Sequence, residues 1–329
     1  MKPSHSPDLI TIGTRGSALA LWQANWAADT LRSLHPGLAV ELRIIKTQGD
    51  KITDVALAAI GGKGLFTKEI ETALLSGDVD LAVHSLKDLP TDIPDGLCLG
   101  AHTAREDPRD ALVTVEGLTL DEIPEGAVIG TSSLRRQAQL SAYRPDLRFV
   151  DLRGNVDTRV RKLGEQNLDG IVLASAGINR LGVQGVGVQP LDPAICLPAP
   201  GQGILGLEVR ADDDRTAALI APLNDPAALA CAVAERTVLA SLGGGCQVPL
   251  GALAEAVGRV ATGVSPVEVP SLRLRALVAS LDGSRVIRTE VTGSAADAAD
   301  LGLQASRKLR EAGADAILAS CNVTPPAPS

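Results

Sequence analysis

One pattern restricts this chain more than any other: from Leu9 to Val209, apolar strand-like runs alternate with helical segments. Parallel strands need a crossover to return to the same sheet edge, so this alternation predicts a mainly parallel α/β sheet. Strands are predicted at Leu9–Thr14, Val40–Thr47 and Val79–His84. A helix capped by Ser17 runs to Leu34, and a second covers Lys68–Ser76. Near Arg109 a second unit begins, with strands at Ala111–Val115, Val128–Gly130, Leu147–Leu152 and Gly170–Ala174. Helices starting at Ser133, Val156 and Ala176 separate them. Pro198 to Gly203 breaks the pattern before a strand at Ile204–Val209. Asp225-Pro226 then opens a helix, Asp as cap and Pro in the first turn, which reaches about Leu242.

Beyond Cys246 the texture changes. Leu272–Ser280 and Arg285–Val291 flank Asp282-Gly283, a hairpin signal. An Ala-rich helix from about Ala295 to Ala312, a strand and a Pro-rich tail complete an α+β part, expected to be a separate domain. At 329 residues the chain is long enough for two or three domains. With two Trp, one Tyr and two Phe, its cores must be built from Ala, Val, Leu and Ile. So few aromatic side chains also argue against single-stranded nucleic-acid binding, which uses stacking platforms. The net charge of −8 means that any anion must be attracted by local clustering of cations. Five cysteines without a C-x-x-C pair indicate neither a disulfide framework nor a zinc site. No secretory signal or membrane-spanning run is apparent, so a cytoplasmic setting is expected and the sequon Asn322-Val323-Thr324 is read as chance.

Arginines recur just after predicted strands: Arg15, the pair Arg135 and Arg136, Arg153 with Arg159, and Arg180. Ligands of open α/β sheets bind outside the carboxyl ends of the strands, where helix N-termini also favour anions. The recurrence therefore points to carboxylates or phosphates, whereas each arginine alone reads more readily as solvated. Asp88 follows a strand end and is open to two readings. It is a proton-transfer or cation-stabilising carboxylate, or else a cap or ion-pair partner of Lys87. His84 reads as structural. Gly61-Gly62-Lys63-Gly64 lacks the spacing of a phosphate loop and suits a mobile cover anchored by Phe66. Cys246 ends Gly243-Gly244-Gly245-Cys246, where the backbone can approach a ligand closely. It follows a helix C-terminus, which does not acidify a thiol, and His5, His35, His84 and His102 are all distant in sequence. An attachment point needs neither.

Together these motifs resemble the porphobilinogen deaminase family. The resemblance is carried by Thr14–Ala20, Gly61–Phe66, Ala82–Pro90, Gly130–Arg136, Leu152–Val156, Pro200–Gly203 and Leu242–Pro249, in that order. It implies two lobes like those of type II periplasmic binding proteins plus a smaller α+β C-terminal domain. The expected boundaries are 1–104 with 204–221, 105–203, and 222–329. The implied activity is a transferase of tetrapyrrole and porphyrin (haem) biosynthesis, joining four porphobilinogen molecules into hydroxymethylbilane with release of ammonia.

A dipyrromethane cofactor held by a thioether to Cys246 is also implied, with Asp88 as the catalytic carboxylate. Lys87, Ser133, Arg135 and Arg136 would grip the cofactor. Arg15, Ser17, Arg153, Arg159 and Arg180 would bind the substrate and growing chain, and Lys63 and Phe66 would belong to the loop over the site. No metal, nucleic acid or membrane is implied, and the expected state is a monomer. Two departures stand out: Ala59 replaces a basic residue common among relatives, and Ala256 to Leu272 is long for the third domain. The alternative is a two-lobed anion-binding protein without catalysis, which explains the arginines but not the glycine-cysteine turn.

Overall fold

The first apolar run, Leu9–Thr14, forms β1 inside a five-stranded sheet. Helix α1 (Ala18–Leu34) follows, with Ser17 Oγ accepting from Ala20 N at 3.3 Å as its N-cap. It buries Ala24, Ala27, Ala28 and Leu31 at helical spacing against the sheet. β2 (Ala39–Ile44), the short helix α2 (Gln48–Lys51), α3 (Lys68–Ser76), β3 (Leu81–Ser85) and β4 (Leu97–His102) continue this unit. The structure is a computed structural model and describes residues 9–51, 66–243, 248–261 and 268–321.

The chain forms two compact units. One ends at Glu106 and resumes over Gly203–Leu229; the other holds Asp107–Gln202 and the chain from Ala230 onward. In the second unit β5 (Asp110–Thr114), β6 (Val128–Gly130), α4 (Leu134–Tyr143), β7 (Arg148–Val150), α5 (Val156–Glu165), β8 (Gly170–Ala174), α6 (Ser175–Leu181) and β9 (Gly187–Pro190) build another five-stranded sheet. β10 (Leu205–Arg210), α7 (Asp214–Ile220) and the start of α8 (Pro226–Ser241) return to the first unit.

The two sheets share one plan. Their orders are β2-β1-β3-β10-β4 and β7-β6-β8-β5-β9. In each, three parallel strands are followed by one antiparallel strand and then an edge strand paired to it. The antiparallel strand is β10 in one unit and β5 in the other. This mixed arrangement is common to both units. The expectation of mainly parallel sheets holds, since four of the five strands in each run the same way; only β5 and β10, which adjoin the stretches that pass between units, run against their neighbours.

The remaining part of the second unit is the α+β element. β11 (Leu250–Ala261), β12 (Glu268–Ala279) and β13 (Val286–Ser294) form an antiparallel sheet, covered on one face by α8, α9 (Ala298–Glu311) and α10 (Ala314–Cys321) through Ala234, Val238, Leu274, Ala305 and Ile317. The long Ala256–Leu272 segment extends two arms of this sheet, with a break in register between Ala256 and Arg259. The other face packs Leu253 and Leu277 on Ala138 of α4. Gly283, at φ +73°, lies where a Cβ would collide with the backbone of Ser141 and Ala142, so the hairpin turn seats directly on α4. The strand expected after Ala312 is instead the helix α10, since an Ala-rich run with Asp315 in its first turn favours helix. The strands β4 and β9 and the helix α7 were not expected from the sequence pattern.

Candidate active site

In the first unit the parallel strands end at Ile44, Thr14 and Ser85, on one edge of the sheet. Arg15 and Ser17 follow β1, and Lys87 and Asp88 follow β3. Ser17 is spent as the cap of α1. The Arg15 guanidinium stands 4.2 Å from the centre of the Phe66 ring, so two expected site residues distant in sequence are in cation–π contact.

Asp88 closes a single 3-10 turn, Leu86–Asp88, which Pro90 prevents from continuing. The turn is held from several sides. Leu86 N donates to Ile204 O at 3.0 Å and Leu89 N to Leu86 O at 3.2 Å. Gln23 Nε2 donates to Ser85 Oγ at 2.8 Å. Leu86 and Leu89 are buried, and both lie against Gly206 of β10, where a Cβ would sit only 3.2 and 3.4 Å from their methyl groups. With these two turned inward, Lys87 is half-buried and Asp88 is exposed. Asp88 makes no hydrogen bond or ion pair with a described residue, so it neither caps a helix nor pairs with Lys87.

In the second unit the carboxyl ends of β7, β6 and β8 also lie side by side. Ser133 caps α4, accepting from Arg136 N at 3.4 Å, while Thr131 Oγ1 accepts from Ser133 N at 3.2 Å. Arg153 and Arg159 are half-buried after β7; Arg159 Nε donates to Gly154 O at 2.7 Å. Arg180, also half-buried, lies in the last turn of α6.

Arg135 and Arg136 differ from the other arginines. They turn inward, 4% and 5% exposed, onto Asp110, which has no exposure at all. Arg135 Nη1 lies 2.5 Å from Asp110 Oδ2 and donates to Leu197 O at 2.7 Å. Arg136 donates from Nε and Nη2 to Asp110 Oδ1 at 2.9 and 2.7 Å, and from Nη1 to Val172 O at 2.8 Å. Gln202 Nε2 donates to the same Oδ1 at 3.0 Å and to Pro108 O at 2.7 Å. Burial alone would raise the Asp110 pKa, but the two guanidiniums hold it far below the usual carboxylate range. Beside it, burial and the Asp110 charge push the Cys196 thiol up to about 12. Two guanidiniums against one carboxylate leave this cluster with one net positive charge.

Sequence reasoning missed Asp110, and likewise Glu208 of β10, equally buried, whose Oε2 lies 2.9 Å from His84 Nε2. A lone acid in an otherwise apolar strand was the available signal, because a buried carboxylate needs a partner. Cys246, Lys63 and Ala59 lie outside the described residues.

Residues 10–218 match the model of the porphobilinogen deaminase dipyrromethane cofactor binding domain, and residues 229–311 that of its C-terminal domain. The chain belongs to the porphobilinogen deaminase family. A porphobilinogen deaminase of Trichlorobacter lovleyi is 51% identical over 313 residues, covering 95% of this chain and 96% of that protein. One of Roseiflexus castenholzii is 52% identical over 310 residues, covering 94% and 98%. Among solved structures, a probable amino-acid ABC transporter extracellular-binding protein of Bacillus subtilis is similar with a TM-score of 0.38 at 8% identity, covering 64% of this chain and 87% of that one. Membership of the porphobilinogen deaminase family supports an enzyme rather than the non-catalytic anion-binding alternative. No single helix among the described residues is long and apolar enough to cross a membrane.

Proposed function

We propose that this chain is a hydroxymethylbilane synthase, a transferase that joins four porphobilinogen molecules head to tail. Each cycle breaks an aminomethyl C–N bond and forms a C–C bond to the end of the growing chain. The displaced ring proton leaves and ammonia departs; hydrolysis then frees the product. The observation that carries this reading is Asp88, an uncommitted carboxylate on a tightly held turn in a chain otherwise rich in strand-end cations. A carboxylate so placed can stabilise positive charge developing on a pyrrole as the amino group leaves, and can take up the ring proton.

The donor set fits a ligand bearing several carboxylates. Arg15, Arg153, Arg159 and Arg180 are assigned to the acetate and propionate groups of substrate and growing chain, with Ser17 at the amino end of α1. Lys87, Ser133, Arg135 and Arg136 are assigned to the dipyrromethane cofactor, the surplus positive charge of the Asp110 cluster favouring a further anion. Cys246 is its thioether anchor. When bound, the cofactor supplies an electron-rich pyrrole carbon on which the chain begins. Lys63 and Phe66 belong to a cover over the site.

We assign three domains, 1–104 with 204–221, 105–203, and 222–329, each with a main hydrophobic core of its own, the last two sharing a smaller one around Ala138 and Leu277. A cytoplasmic monomer is the working form.

Intact mass of the purified protein is expected to exceed the sequence mass by one dipyrromethane, with a colour reaction in acid Ehrlich reagent. Cys246→Ser should lack both the adduct and turnover. Active protein of unmodified mass would sink this reading.

A further inference from the structure

His84 is buried four residues before Asp88, in the last stretch of β3 before the turn. Its partner Glu208 lies on β10, whose register pairs Gly206 with His84 and Leu205 with Ser85. Gly206 has no side chain, so the imidazole reaches two residues along β10 to Glu208 Oε2, 2.9 Å from Nε2. The other oxygen, Glu208 Oε1, is buried without a hydrogen-bond partner among the described residues. Two further polar side chains from other elements face this region. Glu71 of α3 interacts electrostatically with both members of the pair, and Cys98 of β4 with Glu208.

A buried polar pair contributes little net stability relative to well-packed apolar residues, and its better-attested use is to fix one arrangement among several. Here the element it fixes is defined. The hydrogen bond ties the carboxyl end of β3 to β10 at the residues where Leu86 N meets Ile204 O and where Leu86 and Leu89 rest on Gly206. β3 sliding or tilting along β10 would move the turn, and the outward-facing Asp88 would move with it. Catalytic groups tolerate displacements well under 1 Å.

We propose that His84 and Glu208 are positioning residues for Asp88, their hydrogen bond setting where its carboxyl group meets the substrate. The proposal rests on the catalytic assignment of Asp88. The test is a double-mutant cycle in the cofactor-loaded enzyme, using His84→Leu against Asp88→Glu. With Asp88 present, His84→Leu is expected to keep the adduct mass and KM while lowering kcat about tenfold, or about 1.4 kcal/mol in the barrier. His84→Gln, whose amide still donates, should recover most of that loss. In the Asp88→Glu background, where the carboxyl group is already displaced, His84→Leu should cost less than about twofold.

An equal loss in both backgrounds, or no loss with Asp88 present, would overturn the proposal. Should His84→Leu fail to fold, the isosteric Glu208→Gln takes its place in the cycle, and the same outcomes support or overturn the proposal. Normal turnover by both Asp88→Ala and Asp88→Glu would instead remove the catalytic assignment on which the proposal stands.

Discussion

The antiparallel strands of the two sheets hold their buried acids in opposite ways. In the second unit Asp110 on β5 is gripped by two guanidiniums and a glutamine, four hydrogen bonds from three long side chains. In the first unit Glu208 on β10 has, among the described residues, one histidine, and one of its oxygens has no hydrogen-bond partner there. A thiol accompanies each acid, Cys196 within 3.4 Å of Asp110 and Cys98 near Glu208. Corresponding strands of two similar sheets thus carry a saturated acid in one and a sparingly satisfied acid in the other. A saturated buried cluster locks a fold, whereas a sparingly satisfied one can be altered without loss of the sheet.

The largest expected effect follows from breaking the saturated side. Asp110→Asn strands two buried guanidiniums and should destabilise the second unit by about 3–5 kcal/mol, read as a lowered urea midpoint. On the sparing side, Glu208→Gln keeps the shape and removes one charge, so its cost should be about 1–3 kcal/mol. Equal shifts for the two would end the comparison.

Acid should sharpen it. Unfolded aspartate titrates near a pKa of about 3.9, and native Asp110 far lower, so Asp110 stabilises the protein fully above that value. As the pH falls below about 4, the unfolded chain takes up a proton that the native one refuses, and stability drains away. Glu71 behaves with the opposite sign. Burial raises its pKa, aided by the charge of Glu208. Its charged form is disfavoured in the native state, a cost relieved as the pH falls through the raised native value. Glu71→Gln should therefore raise the urea midpoint modestly at about pH 7 and hardly at all at about pH 4. The smallest effect is chemical: at about pH 8, Cys98 should react with a disulfide reagent before Cys196, whose thiol stays protonated and buried. Reaction of Cys196 first would mean that the Asp110 cluster opens more readily than its bonding implies.

How much of this was legible in the sequence depended on range. The Asp88 turn was readable because Ser85 to Pro90 contains its own punctuation, and the caps Ser17, Ser133 and Asp225 could be read from neighbouring residues. The partners of Asp110 and Glu208 could not. They lie 25 and 26 residues away in one case and 124 in the other, and an acid in an apolar strand announces a partner without naming it. Arg135 and Arg136 sit in the expected place, but strand-end position does not reveal whether a guanidinium faces solvent or turns inward. The direction of β5 and β10 was likewise hidden, because apolar runs look alike read either way. Ala314–Cys321 was too short for periodicity to separate helix from strand.

The position of β10 also sets an order of assembly. On the ribosome, residues 9–106 emerge first, yet their sheet lacks its fourth strand until Leu205–Arg210 has been made. The sheet of the second unit, begun later, has all its strands once Pro190 is out. The part of the chain synthesised first is therefore completed second, and the turn bearing Asp88 has no wall behind it until then. A nascent chain halted before residue 205 should hold a finished middle lobe and an unfinished first one.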